Sequence, residues 1–254
     1  MQNRWRFAFR WALNHLAIST FIALVSAGFV FLLWYPMPYR TLLGVGGIYL
    51  IILIVDVACG PLMTFVLASP RKSRREMVLD LSLVAVIQAV ALAYGMHAVW
   101  VARPVVLAFE NDRFTVVSAN ELDAADLANA PLGLQELPII GVLKVSTRKP
   151  RSNAELFGSV ELSLAGISPA MRPSWWQPMA DQHAAMRERA KPLRELITRR
   201  PAQRLVLENT ARTAGYPVEV LVYLPLTSSK TKEWVALLNE SLEMVGYAPV
   251  DGFE

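Results

Sequence analysis

An acidic residue, Asp56, lies near the middle of an apolar segment that is long enough to cross a membrane. A charged Asp at the bilayer centre costs about 2.5–3.5 kcal/mol on insertion scales, so its side chain is expected to face protein or to be protonated. Gln88 lies at a comparable depth of a later apolar segment, where its amide could donate to the carboxylate. Shortly after Asp56, Gly60-Pro61 removes a backbone donor and predicts a kink in the helix.

Three interpretations of this polar group remain open. The residues could hydrogen-bond the membrane helices together, a contribution of about 0.6 kcal/mol per bond on average. The carboxylate and the kink could instead form a dock for a partner's membrane helix or for a polar group on that helix. Proton transport is the third possibility, and a single carboxylate without a relay of others gives it little support.

A pair of adjacent tryptophans, Trp175-Trp176, lies between Pro173 and Pro178. In a loop bounded by prolines, such a pair could contact a partner or the membrane surface. An equally consistent alternative places one ring in the core and leaves the other half-covered. The pair is a candidate partner-binding surface.

The sequence gives no catalytic or metal-binding signature. The C-terminal part contains no G-x-S-x-G, H-E-x-x-H or P-loop pattern. The histidines are far apart in the chain, and the one cysteine, Cys59, lies inside an apolar segment. We therefore expect no cofactor, no metal and no enzymatic activity.

Three apolar segments are long enough for helices that cross a bilayer, since a span needs about 20 residues. They cover roughly residues 13–35, 41–67 and 77–101. Residues 1–102 are thus predicted to form a three-helix transmembrane region. Residues 103–254 are predicted to form a separate domain, which at about 150 residues can bury its own core.

Charge sets the expected orientation. Eight basic and three acidic residues precede residue 102, whereas the remainder carries seventeen basic and eighteen acidic residues. The high pI therefore belongs to the membrane flanks and does not indicate a nucleic-acid partner. By the positive-inside rule, two basic clusters stay in the cytoplasm: Arg4, Arg6 and Arg10, and then Arg71, Lys72, Arg74 and Arg75. Three spans then put the C-terminal domain in the periplasm, beyond a bacterial inner membrane.

The pattern after residue 103 changes to short strands and helices. Strands are predicted at 105–109, 114–117, 139–145, 218–224, 233–238 and 244–248. Helices are predicted at 121–128, 153–164, 179–198 and 201–210, with Pro192 kinking or splitting the third. The first two strands flank Asn111-Asp112, a hairpin signal. The domain is therefore expected to be α+β with a mostly antiparallel sheet.

Several motifs resemble one known family. They are VDVACGPLMT at 55–64, PRK at 70–72 with Asp80, Gln88 with AYG at 93–95, ARPV at 102–105, FENDRF at 109–114, VALL at 235–238 and VGYAPV at 245–250. In combination they are similar to the type IV pilin accessory proteins called TfpX/TfpZ. The similarity extends over nearly the whole chain and is weakest between about residues 150 and 215.

This resemblance implies an inner-membrane helper that binds or chaperones the major pilin and affects pilus assembly or retraction. The implied partners are the major pilin, other pilus-assembly proteins of the inner membrane, and membrane lipids. No catalytic residue comes with the family. On this interpretation Asp56, Gly60, Pro61 and Gln88 shape a helix dock, while the outer domain binds the pilin head.

Two alternatives come from other classes of protein. One is a membrane-bound enzyme that modifies pilin or another envelope substrate, with carboxylates of the outer domain as catalysts. The other is a periplasmic sensor with a membrane anchor. The predicted cytoplasmic segments are too short for an output domain, so a sensor would need a second protein to carry its signal.

Overall fold

The computed structural model describes residues 2–253, with side chains from Arg4 onward. The chain divides into two compact units. The first, the helical unit, contains the residues up to Pro36 together with 44–101. The second, the α/β unit, contains residues 37–43 and the chain from Ala102 onward.

The described helices are α1 (Gln2–Gly28), α2 (Tyr39–Leu42), α3 (Val45–Ile54), α4 (Gly60–Leu67), α5 (Arg74–Val101), α6 (Asn153–Leu164), α7 (His183–Arg189), α8 (Leu193–Arg199) and α9 (Arg204–Ala214). Two π-helical turns interrupt the helical unit: Phe29–Trp34 extends α1, and Val55–Cys59 joins α3 to α4. Three helices are long and apolar enough to cross a membrane, Arg4–Trp34, Val45–Leu67 and Arg74–Val101, which confirms the predicted number of spans.

Polar contacts and close packing hold the helical unit together. The Tyr49 hydroxyl donates to the Ala23 carbonyl at 2.6 Å, which joins the second span to the first. The Tyr35 hydroxyl donates to the Val99 carbonyl at 2.9 Å and so joins the first span to the third. These contacts matter because lipid tails supply no hydrophobic force between helices.

The α/β unit contains the strands β1 (Pro104–Glu110), β2 (Arg113–Ser118), β3 (Leu143–Thr147), β4 (Trp176–Pro178), β5 (Lys191–Pro192), β6 (Val222–Thr227), β7 (Trp234–Leu238) and β8 (Met244–Ala248). They form one sheet in the order β4-β3-β1-β2-β6-β7-β8, and β5 pairs with β6. The predicted β1–β2 hairpin is present, with Asn111 at a positive φ in its turn.

The sheet is mixed, so the prediction of a mostly antiparallel sheet is wrong. β1 pairs with β3 in parallel, and β2 pairs with β6 in parallel. Both parallel pairs lie at the centre of the sheet, where they join strands that are distant in the sequence. Parallel neighbours need a crossover connection, which local hairpin signals do not reveal.

Two apolar clusters form the core of the α/β unit. One packs α8 and α9 against β6 and β7 and includes Leu193, Leu207 and Leu237. The other lies around β1 and β3 and includes Val106, Val145 and Trp176. These apolar side chains come from neighbouring strands and, in the first cluster, from α8 and α9, which is how a sheet and its helices cover each other.

The predicted bounds of a helix or strand are confirmed where residues close in the sequence determine that element. α6 and β8 have the predicted bounds. Pro192 splits the predicted helix at 179–198 into α7 and α8 and pairs within β5 instead. The predicted helix at 121–128 is wrong, because this stretch contains only short 3-10 turns at Ala119–Glu121 and Asp126–Asn129.

The segment 37–43 packs within the α/β unit. Leu42 is fully buried, and the Ser228 hydroxyl donates to its carbonyl at 2.8 Å. Tyr39 is also buried, and burial, with a smaller contribution from Tyr247, raises the pKa of its phenol to about 12. The second span therefore begins at Val45, four residues later than the sequence predicts, since the first residues of the predicted span belong to this core.

Candidate functional site

Asp56 lies in the π-helical turn directly before Gly60-Pro61. In such a turn the carbonyl of residue i pairs with the N–H of residue i+5. For Asp56 that residue is Pro61, which has no N–H. The sequence thus leaves the Asp56 carbonyl without its helical donor in the middle of a span, where no water replaces it.

Gln88 supplies the missing donor from the third span. Its Nε2 donates to the main-chain carbonyl of Asp56 at 2.9 Å, rather than to the carboxylate as the sequence suggests. A Cβ built on Gly60 would overlap the Gln88 carboxamide, so only glycine leaves room for this contact. Asp56, Gly60, Pro61 and Gln88 therefore come together as a polar joint between the second and third spans.

The polar joint keeps two unused acceptors. Asp56 is 7 % exposed, and its Oδ1 is buried without a hydrogen-bond partner among the described residues. Oε1 of Gln88 is also buried and has no hydrogen-bond partner among the described residues. A buried acceptor without a donor is costly in a membrane interior. The contact between Gln88 and the Asp56 carbonyl therefore gives Gln88, Gly60 and Pro61 a role in helix packing. It gives no such role to the Asp56 carboxylate.

A second polar contact joins the first two spans, and the sequence reasoning missed it. Nδ1 of His15 lies 2.5 Å from Oγ1 of Thr64, one turn beyond Pro61. The sequence alone does not predict a partner for His15. The hydroxyl at Thr64 inside an apolar run was the signal that could have identified its partner.

The tryptophan pair is buried, which corrects its interpretation as an exposed contact surface. Trp176 is 1 % exposed and its Nε1 donates to the Ala170 carbonyl at 2.9 Å. Trp175 is also buried, with the Arg148 and Arg172 guanidinium groups at 4.6 Å and 4.2 Å from its ring centre. Cation–π contacts of this kind fix the ring in place.

An open cleft of about 770 Å³ lies beside this stacked tryptophan. Its walls come from the β1–β2 turn, the end of β3, α6 and α7. α6 presents exposed apolar side chains along this side, with Leu156, Val160 and Leu164 lining the cleft. Phe157, on the same helix, is 72 % exposed. Exposed apolar groups concentrated on one helix are typical of a protein-contact surface.

Charged groups of both signs surround the cleft. Arg113, Arg148 and Arg189 line it together with Glu110 and Glu188. Burial raises the pKa of the Glu110 carboxyl above its ordinary value, and its contacts with Ser168, Ala170 and nearby arginines oppose this only in part. The mixture of apolar and charged walls suits a polypeptide surface better than a small ion of one sign.

The two basic clusters that are predicted to be cytoplasmic lie at one end of the helical unit. The Trp5 ring in α1 contacts the Phe65 ring in α4 with ring centres 5.5 Å apart, so the start of α1 lies beside the end of α4. The loop after α4 carries Arg71 and Lys72, and α5 begins with Arg74 and Arg75. Lys72 forms an ion pair of 2.5 Å with Asp80.

Comparison with known proteins decides the family. Two fimbrial assembly proteins of Dichelobacter nodosus, from serogroups I and E1, are each 31% identical to this chain over 255 residues, which is 99% of the chain and 99% of each relative. The chain belongs to the fimbrial assembly protein family. A third relative, of serogroups C1 and C2, is 37% identical over 130 residues, which is 50% of this chain and 99% of that protein.

The match to the family described as "Fimbrial assembly protein FimB" covers residues 3–44. This stretch contains the first span and the whole of segment 37–43. No solved structure matches the chain. The family is therefore established by sequence over the whole chain, while the fold is described by the structure itself.

Proposed function

We propose that the chain is an inner-membrane accessory protein of type IV pili that binds or chaperones the major pilin and modulates pilus assembly or retraction. The observation that carries this proposal is the 31% identity to fimbrial assembly proteins over 99% of the chain. The motif resemblance to TfpX/TfpZ supports the narrower assignment to pilin accessory proteins. The protein acts by binding, and no chemical step is assigned to it.

The proposed orientation follows from charge. The basic N-terminus and the loop after α4 face the cytoplasm, and the α/β unit lies in the periplasm. The packing of segment 37–43 within the α/β unit supports this assignment, because that loop and the C-terminal chain then share one side of the membrane.

Pilin recognition is proposed at two places. The cleft beside α6 takes the pilin head, since it offers exposed apolar side chains with charges of both signs. The helical unit takes the pilin's membrane helix near the Asp56 carboxylate, whose Oδ1 the polar joint leaves without a donor among the described residues. Two tethered contacts gain from high effective concentration even where each is weak.

Site-specific photo-crosslinking in intact cells tests the cleft. A photoreactive residue at Val160, exposed on α6, should crosslink to the major pilin. The matched control is Leu205, an apolar and more exposed position on α9, which does not line the cleft. Equal crosslinking at both positions, or pilin at neither, would contradict pilin recognition by this cleft.

Two substitutions test the carboxylate. Asp56→Ala should lower the amount of pilin recovered with the protein while the protein level stays the same, because the partner loses its acceptor. Asp56→Asn keeps one acceptor oxygen, so retained recovery indicates a hydrogen bond and lost recovery indicates a need for charge. Cys59→Ala, an exposed position in the same π-helical turn, is the control. Unchanged recovery in Asp56→Ala would remove Asp56 from the proposal.

A further inference from the structure

A groove of about 770 Å³ runs between α1 and α5 of the helical unit, at its basic end. Phe7 and Trp11 of α1 form one wall. The other wall is one face of α5, made by Arg74, Met77, Val78, Leu81, Ser82 and Ala85. Ser69, Pro70, Lys72 and Ser73 close the end of the groove. The groove is therefore mostly apolar along its length, with Ser82 as the exception among its wall residues away from the closed end, and its charged residues lie at that end.

The length of the groove matches one leaflet of a membrane. Its positions on α5 recur every three or four residues from Arg74 to Ala85, which places them on one helix face. At about 1.5 Å per residue this face is roughly 16 Å long. Half of a hydrocarbon core of about 30 Å is about 15 Å. A single acyl chain that starts at the basic end would fill the groove to Ala85.

The charge at the closed end favours an anion. Lys72 is already engaged, because its Nζ donates to Asp80 at 2.5 Å and to the Leu67 carbonyl at 2.9 Å. Arg74 makes no hydrogen bond or ion pair with any described residue, and it lines the groove. The Glu76 carboxylate accepts from the Ser73 amide at 2.8 Å and from its hydroxyl at 2.9 Å. One guanidinium thus remains available at the mouth of an apolar groove.

We propose that this groove is a binding site for one anionic phospholipid, with the phosphate on Arg74 and an acyl chain between Phe7, Trp11 and the α5 face. Basic pockets between membrane helices on the cytoplasmic side recognise anionic headgroups in this way. The aromatic rings of α1 suit the glycerol level of the bilayer. This site is independent of pilin binding, so either proposal can fail without the other.

Lipid retention in a mixed bilayer tests the proposal. The full-length protein is reconstituted in nanodiscs of phosphatidylglycerol and phosphatidylcholine, and native mass spectrometry measures which lipid stays bound after release from the bilayer. Phosphatidylglycerol should be enriched over its bulk share. Arg74→Gln should reduce this enrichment by about fivefold, the factor expected for one basic residue near an anionic surface. Ala85→Phe, which fills the far end of the groove, should reduce retention of both lipids.

Two matched variants distinguish lipid binding in the groove from a general electrostatic attraction of basic residues for anionic lipid. Arg75→Gln removes the same charge one residue away, at a position that does not line the groove. Ala89→Phe adds the same ring one helical turn beyond it. Both should bind lipid as the wild type does. An equal loss in Arg74→Gln and Arg75→Gln would overturn the proposal, as would full displacement of the lipid by soluble glycerol phosphate, which would show a phosphate site without an acyl chain.

Discussion

The helical unit and the α/β unit are held together by different interactions. In the helical unit, Gln88 bonds a carbonyl that Pro61 leaves without a donor, and Tyr35 and Tyr49 bond carbonyls of neighbouring spans. In the α/β unit, two large apolar clusters hold the sheet and its helices together. Apolar side chains in the spans meet lipid of equal polarity, so a few hydrogen bonds set which helix faces pack. In the α/β unit water is the solvent and apolar burial provides most of the stability.

The largest expected effect concerns apolar burial in the α/β unit. Trp176→Ala should lower the free energy of unfolding of the α/β unit by about 4 kcal/mol, because truncating a buried Trp removes burial and leaves a cavity. It also leaves the Ala170 carbonyl without its donor. Urea unfolding of the full-length protein in detergent, followed by circular dichroism, measures the change.

Phe157→Ala is the matched control for this truncation. Its ring is 72 % exposed on α6, so its removal should change the unfolding free energy by no more than about 0.5 kcal/mol. Similar losses in both variants would mean that burial does not dominate the stability of this unit.

A smaller effect is expected where segment 37–43 packs in the α/β unit. Ser228→Ala removes the donor to the buried Leu42 carbonyl, and an unsatisfied buried group costs about 1–3 kcal/mol. The substitution also removes the acceptor for the amides of Lys230 and Thr231 in the following turn. Hydrogen exchange should therefore become faster in residues 37–43 as well as in that turn.

The neighbouring Ser229→Ala, at an exposed position, provides the control. It should leave exchange in segment 37–43 unchanged. Faster exchange confined to the turn in Ser228→Ala would show that the segment does not depend on this hydrogen bond.

The polar joint in the helical unit gives a third and weaker test. Gln88→Leu keeps an apolar stem but loses the donor to the Asp56 carbonyl, which should lower stability by about 0.6 kcal/mol, the average for hydrogen bonds between membrane helices, and by no more than about 1.7 kcal/mol. Gly60→Ala should displace the same carboxamide and so cause a similar loss. The double variant should lose less than the sum, since both changes break one contact.

Unfolding in mixed micelles of increasing sodium dodecyl sulfate content measures these losses. Ser82→Ala, on the same helix, removes a hydroxyl that makes no hydrogen bond with the described residues, so it should be neutral. Additive losses in the double variant would contradict a shared joint.

The parts of the molecule that the sequence predicts are those set by nearby residues. The three spans, the β1–β2 hairpin and α6 depend on local composition and turn residues. The pairing of Phe114 with Leu226 could not be predicted, because it joins strands that are far apart in the sequence and no local pattern indicates it. The same holds for the contact between Trp175 and Arg148, which is distant in the sequence, whereas Arg172 is a local neighbour.

The candidate site was predicted in part. The depths of Asp56 and Gln88 indicated correctly that the two residues meet, since both lie near the middle of their spans. The predicted acceptor for the Gln88 amide was wrong. The sequence favoured the Asp56 carboxylate, whereas the amide donates to the Asp56 main-chain carbonyl. The missing N–H of Pro61 could have identified that carbonyl once the helix was known to take a π-helical turn, which composition does not show.

The smallest expected effect concerns a charge at the surface of the α/β unit. Glu155, near the start of α6, accepts from Arg148 Nη2 at 2.6 Å and from the Arg151 amide at 2.5 Å. Its bond with the Arg148 side chain, followed by the one with the Arg151 amide, lowers the pKa of the Glu155 carboxyl from 4.5 to about 2. A lowered folded-state pKa contributes stability above the unfolded-state value, and this contribution is lost as the pH falls through the window between the two values.

The urea midpoint of the wild type should therefore exceed that of Glu155→Gln near neutral pH, and the difference should shrink as the pH falls from 4.5 toward 2. Glu161→Gln, at an exposed position on the same helix, removes a carboxylate that makes no hydrogen bond within the described chain, and it should leave the midpoint unchanged throughout. Because solvent screens exposed pairs, the difference should also decrease at high salt. A difference that persists at low pH and high salt would mean that Glu155 acts through packing, as the apolar groups of this unit do.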